Sequence, residues 1–422
     1  MTLPHLPIPP FLRTTDSVSK IMADVLFALL PVCFMAWLAF GMEPVMVILV
    51  ACGSAVATEF LFSRLYVGKT ASLSDGSALV TGTLLACTLA PFTPLYIVAF
   101  GGAMAVLFGK LLAGGLGRNR FNPALVGREF MTVFFPAIMT SGAIWYRYDA
   151  VHVSSLDWLP DTFLDSLIFR GSGAIGEYSV VLLVLGGVYL LLKNRISWHI
   201  PVALTVSFTV LFMLLPDGEY RFSLAGVLLG AIFMATDMPT SSSTFIGRLY
   251  YGAMIGAVAV MCIAFGVKHE YMSYSILLLN AFVVPVDWVF RPRVWGGKNR
   301  LAARIAQGMG LTAAILATTG IVIWLHHREW IMYLVFAYIV WCIGGFFCWN
   351  MTPVWISCGS TIPGAARWKR WMPTLAPRSR STPRSSRRTA GRCAPCSPVS
   401  CTARWRCVLS RRMGCIIPGR WM

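Results

Sequence analysis

The sequence predicts an all-α membrane protein with about ten transmembrane helices in two inverted five-helix repeats, whose third and eighth helices are short and broken. Of the 422 residues, 57% are hydrophobic and only 12% are charged, and the mean hydropathy is +0.69. Soluble domains do not have this composition. Two short apolar runs in corresponding halves of the chain are the second observation, because paired interrupted spans indicate a binding site inside a membrane bundle.

The first short run covers residues 74–91. It is an apolar run of only about 15 residues, too short to cross a hydrocarbon core of about 30 Å as a straight helix. An Asp-Gly pair opens the run, prolines close it, and small side chains cover much of its surface. Small residues favour close packing against other helices over contact with lipid. The second run, 225–241, has a similar pattern and contains Asp237 and a proline near its end.

The other predicted helices follow from longer apolar runs. Residues 1–20 form a polar, Pro-rich segment without a cleavable signal pattern. A polar loop, 140–176, separates the two halves. The predicted helices are, in order, 21–40, 44–62, 74–91, 93–113, 121–139, 178–192, 200–215, 223–235, 249–267 and 273–290.

The distribution of charge predicts the orientation of the chain. If the N-terminus is cytoplasmic, the inner segments hold most of the Lys and Arg residues, and the outer segments are mainly acidic. Cytoplasmic loops of membrane proteins carry this excess of basic residues. The loop 140–176 is then external, and the two five-helix halves have opposite topology, as an inverted repeat requires.

Five motifs occur in order along the chain. They are Ser-Asp-Gly-Ser-Ala-Leu-Val-Thr-Gly at 74–82, Arg-Phe-Asn-Pro-Ala-Leu-Val-Gly at 120–127, Gly-Ala-Ile-Gly-Glu-Tyr-Ser at 173–179, Met-Ala-Thr-Asp at 234–237 and Arg-Pro-Arg-Val-Trp-Gly at 291–296. Together they resemble the NqrB/RnfD family, membrane subunits of sodium-pumping NADH:quinone reductase and of the Rnf ferredoxin:NAD+ oxidoreductase. The resemblance covers about residues 10–300, and the short leader before residue 17 is similar to RnfD rather than NqrB.

This resemblance implies a function and a set of partners. It implies a ten-helix subunit of the bacterial cytoplasmic (inner) membrane that carries flavin and is not active alone. Together with the other membrane and peripheral redox subunits of an Rnf complex, it would couple electron transfer between ferredoxin and NAD to Na+ or H+ translocation. The other function class left open is a stand-alone channel or secondary transporter on a similar inverted-repeat bundle, without redox activity.

The family's covalent flavin site is altered in this chain. Relatives carry FMN through a phosphoester on the last Thr of a Ser/Thr-x-Ala-Thr motif in the outer loop. Residues 141–144 resemble that motif, but they have Ile at the acceptor position and lie close to helix 5. The segment 149–151 fits the family's lead-in better and assigns the acceptor position to Ser155, with Ser154 and Thr162 as nearby alternatives. An ordinary polar loop without FMN is the competing interpretation.

Two asparagines are further candidates for cofactor binding, whereas the residue types that bind metals predict no site. Asn119 and Asn122, at the inner end of helix 5, resemble the site where relatives hold non-covalent riboflavin; helix capping is the alternative. The histidines and the cysteines of the core have no metal-ligand spacing, so no metal site is predicted.

Three carboxylates within the predicted spans match residues that relatives are thought to use for cation uptake. Glu59 lies in helix 2, Asp237 at the inner end of helix 8 and Asp287 late in helix 10. An ionisable residue within a span costs about 2.5–3.5 kcal/mol on insertion scales, so each requires a reason. Carboxylate and hydroxyl oxygens suit Na+, and Thr236 and Thr240 lie near Asp237. The alternatives are helix capping or snorkelling for the aspartates and an ion pair with a neighbouring helix for Glu59.

The C-terminal part departs from the family. Residues 301–350 contain two more apolar runs, about 309–325 and 330–349, that would be extra spans. From 361 to the end the chain carries 14 of its 35 Lys and Arg residues and no acidic residue. The high net charge therefore belongs to the tail, and we expect membrane lipid, not nucleic acid, as the surrounding partner. We interpret 351–422 as a basic segment that is disordered or translated from a shifted reading frame, because its composition cannot build a core.

Overall fold

The computed structural model describes residues 16–67, 74–141, 144, 173–216, 220, 222–292 and 301–356. This part of the chain contains helices and loops and no β-strand. The prediction of an all-α protein is therefore confirmed. The segments 1–15, 357–422 and most of the loop 140–176 lie outside the described residues.

Each of the ten predicted spans overlaps a helix. The helices are α1 Val18–Phe40, α2 Met42–Phe62, α3 Ser77–Cys87, α4 Leu95–Val106, α5 Pro123–Phe134, α6 Val180–Leu192, α7 His199–Met213, α8 Leu224–Leu229, α9 Phe245–Ala264, α10 Tyr271–Ala281, α11 Leu301–His327 and α12 Ile331–Ile356. Short π-helical turns extend α2, α4 and α8 to Val67, Leu111 and Met234.

Two predicted helices are interrupted at prolines. Helix 5 ends at Phe134, and a separate turn, Pro136–Met139, follows it. Helix 10 ends at Ala281 and continues, after a bend of 54°, as Val283–Val289, which contains Pro285. Proline has no N–H to donate and its ring clashes with the carbonyl four residues earlier, so a continuous helix cannot pass through it unbent.

The lengths of the helices show which can cross a bilayer without help. Among the described residues, α1, α2, α9 and α11 are long and apolar enough, and α10 with its bent continuation is a fifth candidate. The shorter apolar stretches have 10–17 residues and include α3, α8 with its π-helical turn, and Ile331–Phe347 of α12. The protein is thus a multi-pass membrane protein, and its exact number of crossings stays a prediction.

The two halves repeat the same helix pairings. The most extensive contacts are between α2 and α4 in the first half and between α7 and α9 in the second, and α5 and α10 pack against α4 and α9 in the same way. Glycines permit these contacts: a Cβ on Gly102 of α4 would lie 2.8 Å from the carbonyl of Ala51, and one on Gly252 of α9 would lie 2.6 Å from that of Ile200. Small residues at helix contacts let membrane helices approach this closely.

One end of the bundle is held by an arginine between two aspartates. Arg195, in the loop between α6 and α7, donates from Nε to Asp24 at 2.7 Å and from Nη1 and Nη2 to Asp16 at 2.9 and 3.2 Å. Hydrogen bonds from Arg195 and Lys20 hold the pKa of the Asp16 carboxyl down at about 2. The start of α1 and the α6–α7 loop therefore lie at the same end, as the charge distribution predicts.

The last two helices pack on the bundle through polar contacts as well as apolar ones. The Tyr250 hydroxyl of α9 lies 2.8 Å from Oγ1 of Thr312 on α11, and the Tyr338 hydroxyl of α12 donates to the carbonyl of Phe108 at 2.9 Å. The two extra apolar runs predicted from the sequence are therefore helices that belong to the same bundle.

The contact of α3 with α2 provides a test of this packing. A Cβ on Gly82 would lie 2.7 Å from the Cα of Cys52, so Gly82→Ala has to push the two helices apart. We expect it to lower the free energy of unfolding by about 1–3 kcal/mol, the usual cost of overpacking. Thermal unfolding in detergent measures the effect. Gly53→Ala on α2 is the control because nothing lies within 4 Å of its Cβ position, and equal melting temperatures for the two variants would contradict the packing argument.

Candidate ion-binding site

The first broken helix, α3, is surrounded by protein on nearly every side. It begins after Gly76, which has φ of 72°, a left-handed conformation that glycine adopts without strain. Ten of its 11 residues are buried, and only Leu79 is exposed. Its hydroxyl side chains bond to its own backbone, since Thr81 donates to the carbonyl of Ser77 at 2.9 Å. The short apolar run predicted from the sequence is therefore an internal helix.

The second broken helix, α8, ends in an unwound turn. The Ser223 hydroxyl caps its start by accepting from the N–H of Gly226 at 3.1 Å. After Met234 the chain turns at Asp237, whose carbonyl accepts from the N–H groups of Thr240 and Ser241 at 3.2 and 3.0 Å. Irregular backbone of this kind at membrane depth is tolerated where protein surrounds it, and in transporters such ends coordinate ions.

A buried ion pair joins α2 to the turn that follows α4. The ammonium of Lys110 donates to Oε1 of Glu59 at 2.7 Å and to Oγ of Ser77, the first residue of α3, at 2.5 Å. The side chains of Lys110 and Glu59 are 2% and 0% exposed. The second carboxylate oxygen of Glu59 is buried and has no hydrogen-bond partner among the described residues. One oxygen of this carboxylate is thus left to bind a proton, a water molecule or a cation.

A small cavity of about 40 Å³ lies beside this pair, between the two broken helices. Its polar lining comes from both halves of the chain and includes Ser77, Thr81, Lys110, Asn119, Asn122 and Asp237. Glu59 does not line the cavity but is paired with Lys110, which does. Together with this partner, the ionisable groups are two carboxylates and one ammonium, which leaves one negative charge when all are ionised. This volume holds a water molecule or a single small ion, and the net charge favours a monovalent cation or a proton.

Of the two asparagines predicted to hold riboflavin, Asn122 caps α5 and Asn119 bonds to the loop before that helix. Asn122 accepts from the N–H of Ala124 at 3.0 Å and donates to the carbonyl of Met234, at the end of α8, at 3.1 Å. Asn119 accepts from the N–H of Gly117 at 3.2 Å. Pockets for cofactor-sized ligands have volumes of about 300–1,000 Å³, so the cavity beside these residues does not fit riboflavin. Riboflavin stays a prediction of the resemblance, and no step is assigned to it.

The structure separates the two predicted aspartates. Asp237 lines the cavity and accepts from the Thr240 hydroxyl at 3.0 Å. Asp287 instead accepts from the hydroxyl of Ser242 at 2.5 Å and from the N–H and hydroxyl of Ser243, and it fixes the chain that leads into α9. Asp287 therefore holds the loop before α9 in place in this structure.

The sequence did not predict a role for Lys110 or for the adjacent residues Arg128 and Glu129. Lys110 lies inside predicted helix 4. A basic side chain within a span is as costly as a carboxylate, so the rule that selected Glu59 also selects Lys110. Arg128 of α5 donates to the carbonyls of Thr88 and His269 at 3.1 and 2.9 Å and so closes the broken end of α3. Glu129 beside it is buried, and its Oε1 has no hydrogen-bond partner among the described residues. The candidate FMN residues Ser154, Ser155 and Thr162 lie outside the described residues.

The repeated helix pairings and the polar cavity between two short helices define a multi-pass, all-α membrane protein. The sequence then specifies the family. The chain belongs to the NQR2, RnfD, RnfE family, whose profile matches residues 6–296. The helices α11 and α12 lie beyond the matched residues.

Three relatives, each the D component of its complex, have names that state their activities. The chain is 34% identical over 319 residues to that of the proton-translocating ferredoxin:NAD(+) oxidoreductase complex of Clostridium ljungdahlii, covering 69% of this chain and 95% of the relative. It is 34% identical over 301 residues to that of the Na(+)-translocating ferredoxin:NAD(+) oxidoreductase complex of Acetobacterium woodii, covering 68% and 93%. It is 32% identical over 346 residues to that of the ion-translocating oxidoreductase complex of Stutzerimonas stutzeri, covering 71% and 96%.

Because this ion pair is buried, the stability of the protein should depend strongly on both Glu59 and Lys110. Lys110→Met leaves Glu59 buried without its counter-ion, and loss of one partner of such a pair costs about 3–5 kcal/mol. The double variant Glu59→Gln with Lys110→Met removes both charges, so we expect it to unfold at a higher temperature than Lys110→Met alone. Thermal unfolding in detergent measures both.

The exposed pair of Lys20 and Asp16 is the matched control. Its atoms lie 3.3 Å apart and the Lys20 side chain is 57% exposed, so Lys20→Met should change the free energy of unfolding by only about 0–1 kcal/mol. If the loss of stability in the double variant equals the sum of the losses in the two single variants, Glu59 and Lys110 do not stabilise each other.

Proposed function

We propose that this chain is the RnfD-type membrane component of an Rnf-type, redox-driven ion pump. Its membership of the family supports this function, as does its sequence identity of 32–34% to three D components over most of their lengths. The other subunits of the complex are its partners, and the chain is one component of an ion-translocating oxidoreductase. The N-terminus faces the cytoplasm, and the membrane is the bacterial inner membrane.

The ion site of this protein is the cavity between α3 and α8. The observation that carries this assignment is one cavity of about 40 Å³ that is lined by Lys110, the buried partner of Glu59, and by Asp237 of the other half. Lys110 is the counter-ion of Glu59, and Asp237 supplies the second carboxylate. A cation or proton that enters binds to Asp237 and to the second oxygen of Glu59, and its release returns both carboxylates to their present partners.

The identity of the coupling ion does not follow from similarity. The relatives named for protons and for Na+ are both 34% identical to this chain. Carboxylate, hydroxyl and amide oxygens at the cavity can take either ion. Na+ requires several oxygens around it at once, whereas a proton requires only one carboxylate, so the ion is a question for transport measurements.

The two aspartates provide the test of the ion site. In inverted membrane vesicles that contain the complex, Asp237→Asn should lower ferredoxin-driven ion uptake by roughly tenfold or more, as a loss of about 1.4 kcal/mol in ion binding would. Asp287→Asn is the matched control, because an amide oxygen still accepts the hydrogen bonds from Ser242 and Ser243. We expect it to keep most of the uptake. Equal losses in the two variants would contradict the assignment of the site to the cavity.

The outer loop carries the second part of the proposal, covalent FMN on Ser155. A phosphoester requires a side-chain hydroxyl, and Ser155 has one. The bound flavin would supply one-electron and two-electron chemistry at the outer face. In protein co-expressed with the flavin transferase, Ser155→Ala should abolish in-gel flavin fluorescence, and Ser155→Thr, Ser154→Ala and Thr162→Ala should keep it.

Mass spectrometry of the loop peptide decides between the two function classes. An FMN adduct on Ser155 agrees with the redox function. An unmodified peptide and a chain without flavin absorbance, together with ion transport by the isolated chain in liposomes, would support the stand-alone channel or secondary transporter instead.

A further inference from the structure

An apolar groove of about 680 Å³ runs along α11, far larger than the cavity at the ion site. It lies between the first half of α11, the first turn of α9 and the end of the bent continuation of α10. The lining is almost entirely hydrophobic, and its walls include Ile246, Val289, Phe290, Ile305, Met309 and Leu316. The groove thus has the volume and the surface for a hydrocarbon chain.

The bottom of the groove is fixed by contacts between α9 and α11. Thr312, one of its lining residues, is bonded to the Tyr250 hydroxyl at 2.8 Å. The Tyr250 ring lies 4.8 Å from that of Phe290, measured between centroids. Gly308 keeps the groove wide, because nothing lies within 4 Å of the position that a Cβ would take. The groove is therefore a feature of packed helices and not a gap between loosely joined ones.

One arginine lines the groove and two more lie near it. Arg304 is a lining residue and donates from Nη2 to the carbonyl of Arg291 at 3.1 Å. Arg248 follows the lining residue Ile246 by two positions on α9 and donates to the carbonyl of Ser242 at 3.2 Å. Among the described residues, no carboxylate forms an ion pair with these three arginines. The nearby Asp287 accepts hydrogen bonds from Ser242 and Ser243 instead.

An apolar groove between membrane helices that ends at a basic side chain, on the side proposed as cytoplasmic, is the arrangement that binds anionic lipid headgroups.

We propose that this groove binds one anionic phospholipid of the surrounding bilayer, with an acyl chain along α11 and the phosphate at Arg304. The charge at the groove end favours an anionic headgroup over a zwitterionic one, whose own cation the arginines repel. The lipid bridges α9 and α10, which belong to the family-matched part of the chain, to α11, which lies beyond it. The site is independent of the proposed ion pump, since none of its residues lines the ion cavity.

Native mass spectrometry of the full-length chain in detergent tests this site, with phosphatidylglycerol and phosphatidylcholine as the added lipids. The wild type should bind one phosphatidylglycerol in preference to phosphatidylcholine. Arg304→Gln should weaken phosphatidylglycerol binding by about fivefold, the effect of one basic residue near an anionic lipid. Gly308→Leu should block the groove and abolish the preferred site.

Two matched variants on α11 are the controls. Arg328→Gln removes an arginine at the other end of the helix, where its guanidinium lies 5.9 Å from the Trp324 ring, and Gly320→Leu adds the same side chain at a glycine that also has open space. Both should bind phosphatidylglycerol as the wild type does. Equal binding of the two lipids by the wild type, or unchanged binding after both Arg304→Gln and Gly308→Leu, would overturn the proposal.

Discussion

The buried ion pair of Glu59 and Lys110 is the interaction on which the centre of this protein depends. Each charge would be costly alone at this depth, and the pair is tolerated because the two groups lie 2.7 Å apart and Lys110 also donates to Ser77. Those three residues come from α2, from the turn after α4 and from the first residue of α3. The pair therefore fixes where the first broken helix begins, and with it one wall of the ion cavity.

The second wall depends on backbone groups. Asn122 links the start of α5 to the last turn of α8 through the carbonyl of Met234, so a residue of the first half holds the broken helix of the second. Close glycine contacts keep the helices of each half near enough for these polar bonds to form. The site is consequently a property of the interface between the two halves, which explains why its charged residues are distant in sequence and adjacent in space.

The last two helices extend a bundle whose other ten helices match the family. Their contacts with α9 and with the turn after α4 include hydrogen bonds of tyrosines. Aromatic rings also pack there, such as those of Phe121 and Tyr338 at 5.5 Å. Between α11 and the family-matched part of the bundle lies the groove with arginines at its end. Helices of different length cannot cover each other completely, so a seam between them stays accessible to lipid.

The sequence by itself determined the membrane class, the order of ten helices and the two short ones, since apolar length and small-residue content are local properties of the chain. Motif spacing also determined the family. Only the tertiary structure decided the roles of the ionisable residues: it gave Glu59 a partner in Lys110, placed Asp237 at the cavity and turned Asp287 toward a loop. It likewise made Asn122 the cap of α5 and bonded Asn119 to the loop before that helix. The physical reason is that burial and pairing depend on which helices become neighbours, and the charge of a side chain acquires its role only from the groups that the fold brings within a few ångströms.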